Sequence, residues 1–297
     1  MNRIGWGVLG AAWIAGIAVL PAIAASKNGR LVAIASRESK RARELAEKHP
    51  GAQALNSYDV LLADPNVDAV YIPLVNSVHK EWTLRALAAG KHVLCEKPLG
   101  MSAQEAEEMS AAAESSGKHL MEAFMYRFDP RTRAFVEALR DPLYVQASFG
   151  FAMNDKSNYR LQAQLGGGAL LDVGCYVVSV SRWILGEPSA VLARSRIKDG
   201  VDTTTSALLQ FSDGRTAATW ASFESGEEQE LTAVTREGAQ RLERPFTSVD
   251  RQLEPYQLMV ESFADSILND RPVAIPLSES IANLKVLDRI KEAAAKN

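Results

Sequence analysis

The chain has few of the residues that cross-link a fold or hold a metal. Its two cysteines, Cys95 and Cys175, sit in apolar runs with no C-x-x-C spacing. That argues against a disulfide framework or zinc site and reads as two small buried hydrophobes in a reducing compartment. The four histidines, His49, His79, His92 and His119, show neither i, i+4 pairing nor cysteines at ligand spacing, so no metal centre is expected. An excess of one charge is missing too. The formal net charge is −3, and Lys and Arg are scattered, not striped, so nucleic acid is not an expected partner. One long uncharged run exists, Val8 to Ala25, which follows Arg3 and ends in an Ala-Ile-Ala-Ala tract. By length and flank it resembles a signal peptide or a short membrane span. Gly10 and Pro21 interrupt it, however, and its removal would strip the first strand and turn from the domain described next. The expectation is a cytoplasmic protein with no membrane partner.

What the chain does have is size and rhythm. At 297 residues, 47% hydrophobic and 23% charged, it can bury the cores of two globular domains. Its first part alternates strands with helices. Arg3 to Leu9 reads as a strand, Gly10 as a tight turn and Ala12 to Ser26 as an Ala-rich helix, with a second strand at Leu31 to Ala35. Strand, glycine turn, helix, strand is the layout that binds a dinucleotide. Gly5-x-Gly7-x-x-Gly10 would put the motif inside the strand. The useful register is Gly10-x-Ala12-x-x-Ala15, with small residues where a pyrophosphate approaches and a helix N-terminus beyond. Further strands near Gln53, Val67 to Leu74, Val93 to Cys95 and Leu120 to Phe124 alternate with helices, and a capping box at Ser102-x-x-Glu105 opens one of those. That makes one Rossmann domain over residues 1–125.

The second strand ends in Ser36-Arg37. An acidic residue there suits the ribose hydroxyl of NAD, and an arginine suits the extra phosphate of NADP. Arg37, with Lys40 or Arg41 nearby, favours NADP; Glu38 keeps NAD open.

Past Asp129-Pro130 the pattern changes. Tyr144 to Phe151, Val191 to Ile197, Thr203 to Phe211, Arg215 to Phe223 and Glu230 to Arg236 read as strands, several joined by Asp-Gly hairpin signals. Strands with no helix between them predict an antiparallel sheet and an α+β domain over residues 126–277. A long helix is expected at Ala169 to Leu185, and two more at Pro255 to Asn269 and Ser278 to Ala295. The fold class is therefore α/β plus α+β.

Two stretches carry candidate chemistry. Lys91-His92-Val93-Leu94-Cys95-Glu96-Lys97-Pro98 is a short buried strand that ends on a charged pair. Proline disfavours helix at the residue before it, so Lys97 stays extended at the carboxyl edge of the sheet, where ligands of open α/β sheets bind. The Lys97-Pro98 bond can also be cis at modest cost. The second stretch is Gly166-Gly167-Gly168 followed by a helix with Asp172 and Tyr176 four apart among Leu170, Leu171, Val173, Val177, Val178 and Val180. Glycines let backbone approach something closely, and a buried carboxylate and phenol need partners.

These motifs, with Gly7-Val8-Leu9-Gly10-Ala11-Ala12-Trp13-Ile14-Ala15 and Met121-Glu122-Ala123-Phe124-Met125-Tyr126-Arg127-Phe128-Asp129-Pro130, resemble the glucose–fructose oxidoreductase/inositol dehydrogenase/MocA family over essentially the whole chain. The resemblance implies a nicotinamide-dependent sugar oxidoreductase whose second domain has an open-faced sheet used for contacts in a homodimer or higher homo-oligomer. It also implies that the last helix, 278–297, packs back on the first domain. By the same resemblance Lys97, Tyr176 and Asp172 are the catalytic residues. Gly10, Ala11, Ala12, Trp13, Ile14, Ser36, Arg37, Leu74, Asn76, His79, Glu96, Lys97 and Arg160 are expected at the cofactor. Tyrosine at 176, where the inositol-dehydrogenase branch has histidine, is similar to the xylose and dihydrodiol dehydrogenase branch. The expected reaction is NADP-dependent oxidation of an aldose at C1 to a lactone. The alternatives are a trans-dihydrodiol dehydrogenase, a carbonyl reductase, or a non-catalytic NAD(P)-binding regulatory protein.

Overall fold

Short apolar runs, each followed by a helix or turn, form the first sheet. The computed structural model describes residues 3–247 and 254–296. Strands β1 (Ile4–Leu9), β2 (Gly29–Ala35), β3 (Gln53–Leu55), β4 (Ala69–Ile72), β5 (His92–Cys95) and β6 (Leu120–Glu122) pair in parallel in the order β3-β2-β1-β4-β5-β6. Helices α1 (Leu20–Ala25), α2 (Ser39–Ala46), α3 (Tyr58–Ala63), α4 (His79–Ala88) and α5 (Ala103–Ser116) lie between them in sequence. Parallel strands covered on both faces need no polar side, which is why Trp6, Val8, Leu9, Val70, Ile72, Val93 and Leu94 are all fully buried. Burial of each such side chain contributes about 1.5–3 kcal/mol.

The strand order reverses between β1 and β4, so a crevice opens beyond their carboxyl ends. Gly10 turns the chain there at φ +124°, and a Cβ on it would lie 2.8 Å from the Leu74 side chain. Gly5 and Gly7, by contrast, are packing glycines within β1, where a Cβ would meet Asn66 O at 2.0 Å and Leu61 Cδ2 at 2.5 Å. The helix expected from Ala12 starts at Trp13, widens into a π turn at Ala15–Val19 and returns to α-helical geometry in α1.

The chain divides into two units, Met1–Leu99 with Gln104–Met125 and Gln252–Ser280, and Gly100–Ala103 with Tyr126–Arg251 and Ile281–Asn297. The helix that returns to the first unit is α8 (Glu254–Leu268), whose Phe263 ring lies 5.8 Å from that of Trp6. The last helix, α9 (Leu277–Ala295), expected to pack on residues of the first domain, accepts the Ala103 amide on Asp288 at 2.8 Å and donates from Lys291 to Met101 O at 3.1 Å. From Ile281 onward it groups, together with Gly100–Ala103, in the second unit. The reason lies in its polar handles: Asn283 Nδ2 donates to Cys175 O at 3.1 Å, and Arg289 donates to the Pro188 and Ser189 carbonyls at 2.8 Å each.

In the second unit β7 (Tyr144–Gly150), β8 (Ala190–Lys198), β9 (Val201–Gln210), β10 (Thr216–Ser222), β11 (Glu228–Thr235) and β12 (Gly238–Glu243) form one sheet, ordered β12-β11-β7-β10-β9-β8. Most pairs are antiparallel; β7 and β10 run parallel. The β8–β9 hairpin turns on Asp199 and Gly200, both at positive φ (51° and 83°), which only a short polar residue and glycine adopt readily. Alternation decides the faces. Val145, Ala147, Phe149, Leu209, Ala217, Ala221, Leu231 and Ala233 are buried on one face, where α7 (Cys175–Leu185) packs against β7 and β10. Ala163–Leu185 is apolar and long enough to cross a membrane, but 89% of its apolar window is buried, as in the core helix of a unit like this one.

Two elements are additional to those expected. Strand β12 is mostly exposed and polar, so it carries no alternation. Helix α6 (Pro130–Ala138) begins at the Asp129-Pro130 pair that marked the change of rhythm: Asp129 Oδ1 accepts from the Arg131 and Thr132 amides at 2.8 and 3.2 Å, and Pro130 occupies the first turn. Both are ordinary helix-start signals.

Candidate functional site

The first group of candidate residues lies at the carboxyl edge of the parallel sheet. β5 ends at Cys95 and hands the chain to Glu96, Lys97 and Pro98, with a cis bond between Lys97 and Pro98. Three side chains hold this turn. Tyr71, on β4, donates its hydroxyl to Glu96 Oε1 at 2.6 Å. The imidazole of His79 lies with Nδ1 2.9 Å from Pro98 O and Nε2 3.0 Å from Leu74 O. Glu122, ending β6, accepts the Leu99 N–H at 2.9 Å. The Lys97 backbone is therefore fixed from the strands on either side of β5.

His79 is fully buried and both its ring nitrogens face backbone carbonyls, so it links the turn after β4 to the turn after β5. A neutral imidazole has one N–H and can serve only one carbonyl; two carbonyl partners favour the second proton, while burial, the larger effect, lowers the pKa. Asn76, three residues before it, is also buried. Burial pushes the Cys95 thiol well above its ordinary range, which leaves it an inert core residue.

At the other end of the crevice Gly10 leads into Ala11, Ala12, Trp13 and Ile14. Trp13 is 74% exposed, the highest value among the large apolar side chains described. Arg41 donates to Ala11 O at 2.8 Å and so ties α2 to the glycine turn. Arg37 lies against Tyr58, and the Ser36 hydroxyl accepts the Glu38 amide at 3.2 Å. A glycine at positive φ, small residues after it, Arg37 on the neighbouring strand-to-helix turn and Arg41 in the first turn of α2 fit the pyrophosphate and the ribose phosphate of a dinucleotide.

The second group lies on the covered face of the mainly antiparallel sheet. The triple glycine does approach something closely, and it is the chain itself. Gly168 N donates to Arg160 O at 2.9 Å, a Cβ on Gly167 would sit 2.5 Å from that same oxygen, and one on Gly168 would sit 2.2 Å from Asp202 Oδ1. Asp202 then accepts the Leu170 amide at 2.7 Å, at the start of the helical stretch. A π turn at Leu170–Gly174 precedes α7 and carries Asp172. Such turns recur at functional sites.

Asp172, only 4% exposed, accepts from Arg160 Nε at 2.7 Å. Burial alone would lower the arginine's pKa, but Asp172, Tyr159 and Tyr176 outweigh it and leave the guanidinium more firmly charged than usual. Tyr176 is 8% exposed and sits in a ring cluster, 5.5 Å from Phe149, 5.6 Å from Tyr126 and 5.7 Å from Phe246 between centroids. Tyr126 itself donates to Ser179 at 2.6 Å, and burial pushes its phenol up to about 12. Each phenol has an arginine acting on it, Arg127 on Tyr126 and Arg160 on Tyr176, and burial is the larger influence on Tyr126.

Each expected residue thus falls into one of two groups. Gly10 to Ile14, Ser36, Arg37, Leu74, Asn76, His79, Glu96 and Lys97 belong to the first unit, and Arg160, Asp172 and Tyr176 to the second. Sequence reasoning passed over Tyr71, Glu122 and Phe246. Glu122 carried a signal, a carboxylate inside an apolar strand, whereas Phe246 comes from a segment with no pattern to place it.

Comparison with known proteins gives the context. Residues 4–124 match the model of an oxidoreductase family with an NAD-binding Rossmann fold (GFO_IDH_MocA), and residues 137–241 match the GFO/IDH/MocA C-terminal domain. The chain is 37% identical to a D-xylose 1-dehydrogenase (NADP(+)) of Haloferax volcanii, covering 97% of both chains. It is 41% identical to the mouse (Mus musculus) trans-1,2-dihydrobenzene-1,2-diol dehydrogenase, over 70% of this chain and 65% of that one. Among solved structures, a mutant of KijD10, a 3-ketoreductase from Actinomadura kijaniata in complex with TDP-benzene and NADP, superposes with a TM-score of 0.92 at 30% identity, covering 98% of each chain.

Proposed function

The chain belongs to the GFO/IDH/MocA oxidoreductase family, and from that premise we propose that it oxidises a sugar hydroxyl with NADP, favouring C1 of an aldose and giving a lactone. The observation that carries this reading is the Lys97 turn, clamped by Tyr71, His79 and Glu122 at a sheet edge where nothing in the fold itself requires an ammonium. When bound, the nicotinamide supplies the hydride acceptor. Ser36, Arg37 and Arg41 support NADP over NAD, because their hydroxyl and guanidinium groups suit a ribose phosphate.

In this proposal Tyr176 takes the proton of the hydroxyl being oxidised. A free phenol, with a pKa of about 10, is a poor base at neutral pH, and a neighbouring cation lowers that value. Lys97 is the proposed cation and Arg160 a second positive charge on the same phenol. Asp172, held by Arg160, orients the sugar or the lysine. The exposed face of the second sheet, with Leu192 at 57% exposure on its edge strand, is the proposed contact with a second copy of the chain.

Similarity to the dihydrodiol dehydrogenase and the ketoreductase supports a second reading, a diol dehydrogenase or carbonyl reductase. A hydride assay of purified protein across aldoses and trans-diols, with NADP⁺ and NAD⁺, separates the two. Turnover of aldoses with NADP⁺ is expected. Turnover of diols alone overturns the sugar reading. Bound nucleotide with no turnover in any panel member points to a regulatory protein.

A further inference from the structure

The mechanism above leaves one buried acid unused. Glu122 is 1% exposed and ends β6 directly opposite Cys95, the last residue of β5. Its Oε1 accepts the Leu99 amide at 2.9 Å, two residues beyond Lys97. Its Oε2 is buried with no hydrogen-bond partner among the described residues, and so is the hydroxyl of Ser280, at the start of α9, which acts on this carboxyl. No cation is bonded to it among those residues.

We propose that Glu122 is a positioning residue for Lys97: it holds the backbone immediately past the lysine, and the presence or absence of its proton sets the strength of that hold. An ionised carboxylate accepts the Leu99 N–H in a charge-assisted bond, roughly twice as strong as a neutral one. The protonated acid accepts more weakly and can turn its own O–H toward Ser280.

The ionisable groups facing Glu122 are Cys95 across the β5–β6 pair and Glu96 and Lys97 on the turn itself, while α9 faces it with a neutral hydroxyl. Burial is the dominant influence and Glu96 adds to it; Ser280, the Leu99 amide and Lys97 act the other way, and the acid is pushed up to about 7. The hold on the turn therefore changes across the pH range in which the enzyme would work. Turnover is expected to fall on the acid side as Glu122 takes its proton.

This inference rests on Lys97 being the catalytic cation, so its test carries one readout that does not depend on turnover. Glu122→Ala removes the anchor and is expected to lower kcat about tenfold or more through misplacement of the lysine, with NADP affinity unchanged. Glu122→Gln keeps an oxygen for Leu99 and cannot ionise. It is expected to restore most of the turnover lost in the alanine variant and to abolish the step in kcat near neutral pH. Persistence of that step in Glu122→Gln, or equal losses in the two variants, overturns the proposal.

Carbon-13 spectra of glutamate-labelled protein, wild type against Glu122→Gln, read the acid directly, even if the alanine variant does not fold. One carboxyl titrating near neutrality is expected, and a Glu122 that ionises below about pH 5, as an ordinary carboxyl does, overturns the proposal. The same titration in Lys97→Met separates the two failures. Normal turnover there removes Lys97 from the mechanism while leaving the Glu122 titration to stand or fall by itself.

Discussion

Glu122 in the first unit and Asp172 in the second are carboxylates of nearly equal burial, at 1% and 4% exposure. Their surroundings treat them oppositely. Asp172 receives a guanidinium at 2.7 Å, whereas Glu122 receives a backbone amide at 2.9 Å, its second oxygen having no hydrogen-bond partner among the described residues. Removing a carboxylate from water raises the cost of its charge in both places, and a cation in contact offsets more of that cost than one amide does. So Glu122 is pushed up to about 7, while the positive charge of Arg160 is stabilised beside Asp172. One unit holds its acid as a titratable anchor under the proposed catalytic lysine. The other spends its acid on fixing an arginine beside the proposed catalytic tyrosine.

The sharpest way to break this pairing of roles is to remove the two groups the acids support. Lys97→Met and Tyr176→Phe are each expected to lower kcat about 10²–10⁴-fold, the usual worth of a positioned acid–base group. The double variant is expected to be little worse than the poorer single one, because parts of one machine do not add. Full multiplicativity in steady-state assays would mean that the two units serve separate steps.

Arg160→Ala comes next. It leaves Asp172 buried without its cation and is expected to cost about 3–5 kcal/mol in denaturant unfolding. Adding Asp172→Asn is expected to recover part of that loss. Absence of any recovery would show that the pair is not what stabilises this turn.

Glu122→Gln sharpens the contrast through pH. Because the folded-state pKa is raised to about 7 from 4.5, the folded protein holds this proton more tightly than the unfolded chain does. The associated stability is fully present below the unfolded pKa and is lost as pH rises through about 7. Relative to wild type, the glutamine variant is therefore expected to gain stability between about pH 4.5 and 7, by up to about 3 kcal/mol. Melting curves over that range measure it, and a constant difference would show that Glu122 ionises normally.

The smallest expected effect is at Asp129, whose oxygen caps α6. Asp129→Ala is expected to cost about 1 kcal/mol with kcat unchanged, a control for substitutions that touch the second unit's frame and not its chemistry.

Much of the architecture was legible before any coordinates. The parallel strands carry their own proof of burial in unbroken apolar runs such as Val93-Leu94-Cys95, and the hairpin turns announce themselves as Asp199-Gly200 and Asp213-Gly214. Gly10 was separable from Gly5 and Gly7 because a turn glycine must follow a strand, and its positive φ agrees. The candidate residues at sheet edges were legible for the same reason, since a charged pair closing an apolar strand stands out against its background. β12 was not, because an exposed edge strand needs no alternation. Neither was the return of α8 to the first unit, because an amphipathic helix states that it has a buried face and not which surface covers it.

The sequence by itself therefore determined which residues could do chemistry and on which elements they ride, since periodicity and turn preference are local properties of the chain. Only the tertiary structure decided their partners: Arg160 for Asp172, the Leu99 amide for Glu122, two carbonyls for His79, and a ring cluster for Tyr176. The physical reason is that charge, proton affinity and orientation depend on groups brought together from distant points of the chain, and no local pattern records which of them will meet.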